Sequence, residues 1–199
     1  MPSTEIDKLI NEISKLPGLG RRSAQRIALY LLSNNKKAML PLIHSLTEAN
    51  TKIIDCGICG NIDMVNPCSL CQNTKRDKES ILVIEDVSDL WTFERIGFFK
   101  GLYHILGGSL SVINGIGLEE IRLNKLIKRI KQDNVKEIIL ALSTTIEGQT
   151  TSHVVADKLE GIKNLTITRL AQGIPIGGEM HYLDENTLNT AFQSRKKIV

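Results

Sequence analysis

The stretch "ILVIEDVSDLWTFERI", residues 81–96, decides the fold class. A short apolar run closes on two acids, and a helical pattern follows in which Val87, Leu90 and Trp91 share one face, so that Trp91 is expected in the core. The same couplet recurs along the chain: "LYHIL" (102–106), "EEIRLNKLIKRIKQ" (119–132), "EIILAL" (137–142), "TTSHVVADKL" (150–159) and "NLTITRLA" (164–171). Parallel strands need crossovers of a dozen or so residues, usually helical. The alternation therefore predicts an α/β block with a mainly parallel sheet and helices on its faces.

Upstream the texture is helical. In "STEIDKLINEISKL" the residues Ile6, Leu9, Ile10, Ile13 and Leu16 recur at helical spacing, with Thr4 and Asp7 placed as a capping pair and Pro17-Gly18 as the stop. A second amphipathic helix carries Ala24, Ile27, Ala28, Leu31 and Leu32, and a third begins near Ala38 with Pro41 in its first turn. Downstream, "GIPIGGE" is a turn, Leu188, Ala191 and Phe192 mark a short helix, and "SRKKIV" is a basic tail.

All four cysteines lie in "CGICGNIDMVNPCSLC", as Cys56, Cys59, Cys68 and Cys71: two CxxC pairs eight residues apart. Each CxxC turn brings two thiolates to one ion, and two such turns complete a tetrahedral shell. Disulfides or a redox pair would use the same residues, but a reducing cytosol and the doubled motif favour zinc. With four protein ligands no coordination position is open, so one ion per chain is structural, and it holds together a segment too small to own a core.

In "LPGLGRRSAQRIALYLL" two glycines make a tight turn ahead of Arg21, Arg22, Ser23 and Arg26. Backbone amides at a helix start are unpaired and partly positive, so with these arginines the turn suits a phosphate oxygen and reads no base. The glycines alone describe equally a plain helical hairpin. The formal net charge is +3, and residues 1–76 hold ten Lys or Arg against six Asp or Glu. That mild excess fits a nucleic acid held at few points, or an ordinary solvated surface. Apolar runs fall short of a bilayer span and the start lacks a secretory pattern, which predicts a cytoplasmic protein without membrane contact.

The glycine turn with its basic residues resembles a helix-hairpin-helix DNA-binding element. Followed by four cysteines and the α/β block, with "LVIED", Gly115–Gly117, "IEG" at Glu147 and "GIPIGGE", nearly the whole chain resembles the bacterial RecR family of recombination mediators. The resemblance implies an α+β multidomain chain: a helix-hairpin-helix domain at 1–54, a four-cysteine zinc finger at 55–73, a Toprim domain at 80–175, and a tail with a short helix at 176–199. It also implies a non-enzymatic DNA clamp of recombinational repair, associated with the bacterial nucleoid. Such clamps assemble as rings, commonly tetramers, grip single- and double-stranded junctions without sequence preference, and act with RecO and RecF to help load RecA on gapped DNA.

Catalytic Toprim domains carry a glutamate after the first strand and a D-x-D-x-x-G turn later, because metal at a phosphoryl-transfer centre needs clustered carboxylates. Glu85 fits the first position. Counting back from Gly148, the aspartate positions hold Ser143 and Thr145. Glu85, Asp86, Asp89 and Glu147 remain, with Asp89 one helical turn beyond Glu85. They admit three readings: docking of a basic partner such as RecO, which is favoured; one weakly held Mg²⁺; or a solvated rim. The alternative function is a Mg²⁺-dependent Toprim nuclease or primase-like enzyme. No P-loop is present, "GIGLEE" lacks a third fingerprint glycine, and His44, His104, His153 and His181 share no ligand spacing. Lys125, Lys128, Arg129 and Lys131 lie outside the stripe Leu123, Leu126, Ile127 and Ile130, as a solvated face or a second DNA contact.

Overall fold

In the computed structural model residues 4–111, 113–195 and 197 are described, and the chain forms two units, 1–53 and 54–199. In the first unit, α1 (Thr4–Ser14) packs on α2 (Arg21–Ser33). Ile10 is buried on Ala24 and Ala28, flanked by Ile6, Leu9 and Ile13. The two alanines let the helix backbones approach, which is why the smallest side chains of α2 are its most buried. Gly18 sits at φ +77°, a left-handed position that favours glycine and lets the turn reverse direction.

Two local expectations change. Thr4 is already helical, so it is not the residue that caps α1. The third helix starts not at Ala38 but as a π-turn over Asn35–Met39, where the Asn34 carbonyl accepts from Lys37, Ala38 and Met39; it continues as α3 (Leu40–Lys52), with Pro41 in the first turn where its missing N–H is harmless.

The second unit opens with a two-stranded antiparallel ribbon, β1 (Ile54–Asp55) with β2 (Ile62–Asp63), and a single turn, α4 (Ser69–Gln72). Then β3 (Ser80–Ile84), α5 (Val87–Ile96), β4 (Leu102–Ile105), α6 (Leu123–Asp133), β5 (Glu137–Leu140), α7 (Ile146–Leu159) and β6 (Thr166–Arg169) build a four-stranded, all-parallel sheet in the order β4-β3-β5-β6. A 3₁₀ turn at Met180–Tyr182 and α8 (Glu185–Gln193), capped by Asp184, follow. Half of the expected basic tail, residues 196, 198 and 199, falls outside the described residues.

Strand β3 is central, and its unbroken apolar run is the consequence. Ile81 and Val83 face a core made with Leu126 and Ile130 of α6 and Val155 and Leu159 of α7. Leu82 and Ile84 face the other side, with Leu90, Tyr103 and Ile105. Each such buried side chain contributes about 1.5–3 kcal/mol relative to exposure.

Two side chains leave their expected places. Trp91 is 60% exposed: α5 rests on Leu90, with Val87 and Phe93 partly covered, and one residue further round is already solvent. Arg129 is not on the solvated face of α6. It is 6% exposed, donates from Nη1 to the Tyr103 carbonyl at 2.7 Å, and pairs with Asp133 through Nε. A guanidinium whose donors are used this way is tolerated in a core. Of the histidines, His104 is a fully buried packing residue.

Candidate metal centre and nucleic-acid interface

The four cysteines converge. Their Sγ atoms all lie within 4.8 Å of one another, with Cys56 to Cys71 at 3.9 Å and Cys59 to Cys68 at 3.5 Å. All four are free thiols, three of them buried. A tetrahedral ion with Zn–S bonds of about 2.3 Å sets sulfurs roughly 3.8 Å apart, so the cluster fits one such ion. The shell around it is built as well. Backbone amides of Asn61 and Cys68 point at Cys59 Sγ and Cys56 Sγ at 3.4 and 3.3 Å, and donors of this kind favour thiolate. Within the cluster Cys68 is pulled down in pKa by its bonds to Cys59 and Cys71, while Cys59 is pushed up by Cys68, then Cys71, then burial. A cation at this position would stabilise every thiolate.

Residues between the knuckles hold them in place. Asp63 Oδ2 accepts from the amide and hydroxyl of Ser69, Oδ1 accepts from Met64, and these bonds lower the Asp63 pKa. Asn66 Oδ1 accepts from the Gly57 amide. The segment is also sewn into the sheet. Ile105 donates its amide to the Cys59 carbonyl at 2.8 Å, and Arg122 reaches Asp55 at 3.1 Å and the Gly60 carbonyl at 3.5 Å. Sequence reasoning misses Arg122; only its company of apolar neighbours just ahead of α6 hints at a role. Its own carbonyl accepts from Nε2 of His104, whose Nδ1 has no partner, and burial lowers the His104 pKa to about 4.

The acidic rim behaves differently. Among the described residues no three carboxylates or histidines come within the distance that the cysteines do. Asp86 is the N-cap of α5, accepting from Ser88 and Asp89, and its pKa is lowered first by the Ser88 hydroxyl. Asp89 reaches back to the amides of Glu85 and Asp86 as the other half of a capping box, and burial raises its pKa. Its carboxylate is thus turned to the helix start, not presented with Glu85 to a shared ligand. Glu85 accepts from the Ser143 amide at 2.7 Å. Ser143 and Thr145 bond to each other at 2.9 Å, and Thr145 caps α7 by accepting from Gly148. Glu147 is exposed in the first turn of α7. A Cβ on Gly148 would overlap the Ser143 carbonyl, so the turn is closed on itself. Glu85, Asp86 and Asp89 each hold backbone amides, and Glu147 is left exposed.

In the first unit α2 starts at Arg21 with Gly20 before it and no side-chain cap, leaving its first amides to solvent. Arg21 is not free: it donates to Asn11 at 3.1 Å and lies 4.0 Å from Asp7. Arg22, Ser23 and Arg26 are placed at this helix start, and neither Arg22 nor Arg26 has a protein partner among the described residues. Ser23, Arg26, Ile27, Leu29 and Tyr30 border a shallow groove of 540 Å³. No helix is long and apolar enough to cross a membrane among the described residues.

An open, basic helix start, a four-cysteine cluster able to hold a metal ion and a parallel sheet whose acids do not converge define a class: multidomain proteins that combine a helix-hairpin-helix with a cysteine-bearing α/β scaffold. Family models agree, matching a Toprim domain over residues 79–171, "RecR, helix-hairpin-helix" over 6–50 and "RecR, C-terminal" over 173–196. Recombination protein RecR of Hyphomonas neptunium is 51% identical over 98% of this chain and 96% of its own; those of Rhizobium leguminosarum bv. trifolii and Xanthobacter autotrophicus are 48% and 47% identical over the same shares. The chain belongs to the RecR family.

Proposed function

We propose that this chain is a subunit of a ring-shaped clamp, a tetramer, that encircles DNA in recombinational repair. Membership of the RecR family makes it a non-enzymatic DNA-binding clamp that acts with RecO and RecF. The finer assignments are ours: the grip is sequence-blind, favours single- and double-stranded junctions, and helps load RecA on gapped DNA. The chain divides into a helix-hairpin-helix domain (1–54), a finger (55–73), a Toprim domain (80–175) and a tail (176–199), and the four cysteines hold one structural Zn²⁺. Bound there, the ion supplies cohesion and no open coordination position.

The observation that carries the DNA reading is the uncapped start of α2, where free amides meet the unpaired Arg22 and Arg26. Amides and guanidinium groups there bind phosphate oxygens from any sequence, and Ser23 adds a hydroxyl. Arg21, tied to α1, contributes mainly by holding the two helices together. One such site is weak; several in a closed ring act at high effective concentration. The rim of Glu85, Asp89 and Glu147 docks a basic partner surface, for which RecO is the candidate, and does not hold catalytic Mg²⁺. Support against Mg²⁺ comes from the hydroxyls at 143 and 145 and the lack of converging carboxylates among the described residues, and support for docking from the exposed Glu147.

The test is topological. Retention should be high on sealed circular duplex and should fall when the circle is linearised, and mass in solution should be four times 22.1 kDa with one zinc per chain. Arg22→Ala with Arg26→Ala should abolish most retention. Equal retention on circles and linear fragments, or strand breaks abolished by Glu85→Ala, would overturn the clamp.

A further inference from the structure

We infer that the outer side of α6 is a second phosphate-binding surface, which holds the DNA backbone beside the four-cysteine segment; this rests on the DNA-clamp reading above. Lys125, Lys128 and Lys131 lie on the outer side of α6, and none has an ion-pair partner among the described residues. Lys15, Lys52 and Lys136 each lie against a glutamate, other lysines such as Lys36 and Lys37 are also unpaired among the described residues, and what marks Lys125, Lys128 and Lys131 is that they share one side of one helix. The one acid on α6, Asp133, is engaged by the buried Arg129. The helix therefore shows three uncompensated charges over about 9 Å of its length at about 1.5 Å per residue.

The lysines do not stand on an open helix face alone. Lys125, Lys128 and Gln132, with the paired Arg129 and Asp133, form one wall of a cleft of 260 Å³ whose other wall is Gly57 and Ile58, the tip of the first cysteine knuckle; the Asp133 carboxylate is offset by Arg129, and Lys131 lies beyond the cleft on the same helix. Asn66 and the thiolate cluster fix that tip, so the cleft has one rigid wall. Charges spread over about 9 Å match two to three phosphates of one strand at roughly 3.4 Å of axis each.

The occupant is nucleic acid more than an acidic polypeptide, for a chemical reason. Carboxylates are best held by the planar fork of arginine, and the single arginine of α6 is used internally, on the Tyr103 carbonyl and Asp133. What remains outside is three flexible point charges, which suit phosphates met in any register. A sequence-blind clamp needs that tolerance.

The test uses the full-length protein and a gapped duplex, with binding measured across a range of salt. Replacing Lys125, Lys128 and Lys131 together by Ala should weaken binding about tenfold near 0.1 M salt and reduce the salt slope by roughly two to three. Replacing all three by Arg should restore both. Zinc content should stay at one per chain in each variant. An Ala variant with unchanged affinity and slope overturns the inference, and so does loss that the Arg variant fails to restore, since charge would then not be the cause. Loss of binding to a poly-glutamate probe with DNA binding intact also overturns it, in favour of an acidic protein partner. Arg22→Ala with Arg26→Ala serves as the reference: if that pair abolishes binding while the lysines do nothing, only the second surface fails, and if neither set matters, the clamp itself fails.

Discussion

The second unit holds two places where metal-ligating residues gather, and they have opposite fates. Around Cys56, Cys59, Cys68 and Cys71 the surrounding polar groups serve the sulfurs: amides point inward and Asp63 and Asn66 brace the knuckles from outside. Around Glu85, Asp86, Asp89 and Glu147 three of the four carboxylates serve the backbone, two as a capping box and one at the 143 turn, while Glu147 stands exposed. A ligand set is thus defined by whether its donor atoms converge on one point, and among the described residues only the cysteines do. Four thiolates that converge within 4.8 Å can hold an ion even while two of them accept from amides, whereas the carboxylates, each with at least one oxygen unbonded, do not converge in this way.

The largest effect expected from this contrast is loss of the cluster. Cys59→Ser should remove zinc and unfold the 54–73 segment, because metal binding at such sites carries on the order of 10 kcal/mol of folding free energy. Since the Cys59 carbonyl and Arg122 tie this segment to β4, the damage should spread to the sheet edge. Hydrogen exchange should then rise at Leu102–Ile105 and not at Thr166–Arg169. Uniform exchange across the sheet would break the comparison, because the cluster would then be a separate module.

Next in size is the pH response of His104, which sits on that same edge strand. Burial lowers its folded pKa to about 4 from 6.5, so between those values the unfolded chain binds more protons and stability falls as pH falls. The loss should be about 2 kcal/mol on going from pH 7 to pH 5, from 1.36 kcal/mol per pKa unit. Urea unfolding with zinc held saturating should show it in the native protein, and His104→Gln should flatten it. An undiminished acid response in that variant would assign the whole effect to the thiolates.

How much of the molecule is legible in its sequence follows the range of the interactions. The strands, the parallel sheet and the cysteine cluster are legible, because a buried central strand such as 81–84 needs continuous apolar residues and a CxxC turn is local. Trp91 departs from expectation because helical spacing says which residues share a face, not how wide a stripe the sheet covers. Arg129 departs for the complementary reason: its burial depends on a carbonyl 26 residues away on β4. The absence of aspartate at 143 and 145 is plain in the sequence, yet what replaces metal ligation, the bonds among Glu85, Ser143, Thr145 and the α7 start, joins segments 58 residues apart. Arg122 leaves almost no signal, since an arginine before a helix looks the same whether it is solvated or clasped.

The rim offers the sharper and smaller tests. Ser143→Asp with Thr145→Asp returns the acids to the turn without removing the α7 cap, since aspartate caps as well as threonine. Beside Glu85 the added charge should destabilise the protein in EDTA, and Mg²⁺ should recover about 1–2 kcal/mol as a rise in Tm. The native chain should show no Mg²⁺-dependent rise. If it does, the carboxylates are freer to leave their amides than their hydrogen bonds imply.

The smallest expected effect isolates that backbone role in a single residue. Asp86→Ala removes the cap of α5 and should cost about 1 kcal/mol, the usual value for losing such a cap. The loss should be the same with or without Mg²⁺, because Asp86 acts as a helix cap and belongs to no converging set of ligands among the described residues. It should also fade under acid: the folded pKa of Asp86 is lowered, so its contribution is present above the ordinary carboxylate range and vanishes as pH drops through the folded value. A cap behaves in this way, whereas a ligand would lose Mg²⁺-dependent stability on the same substitution. Unfolding curves of the native chain and Asp86→Ala, each in EDTA and in Mg²⁺, therefore decide between the two roles for the same carboxylate.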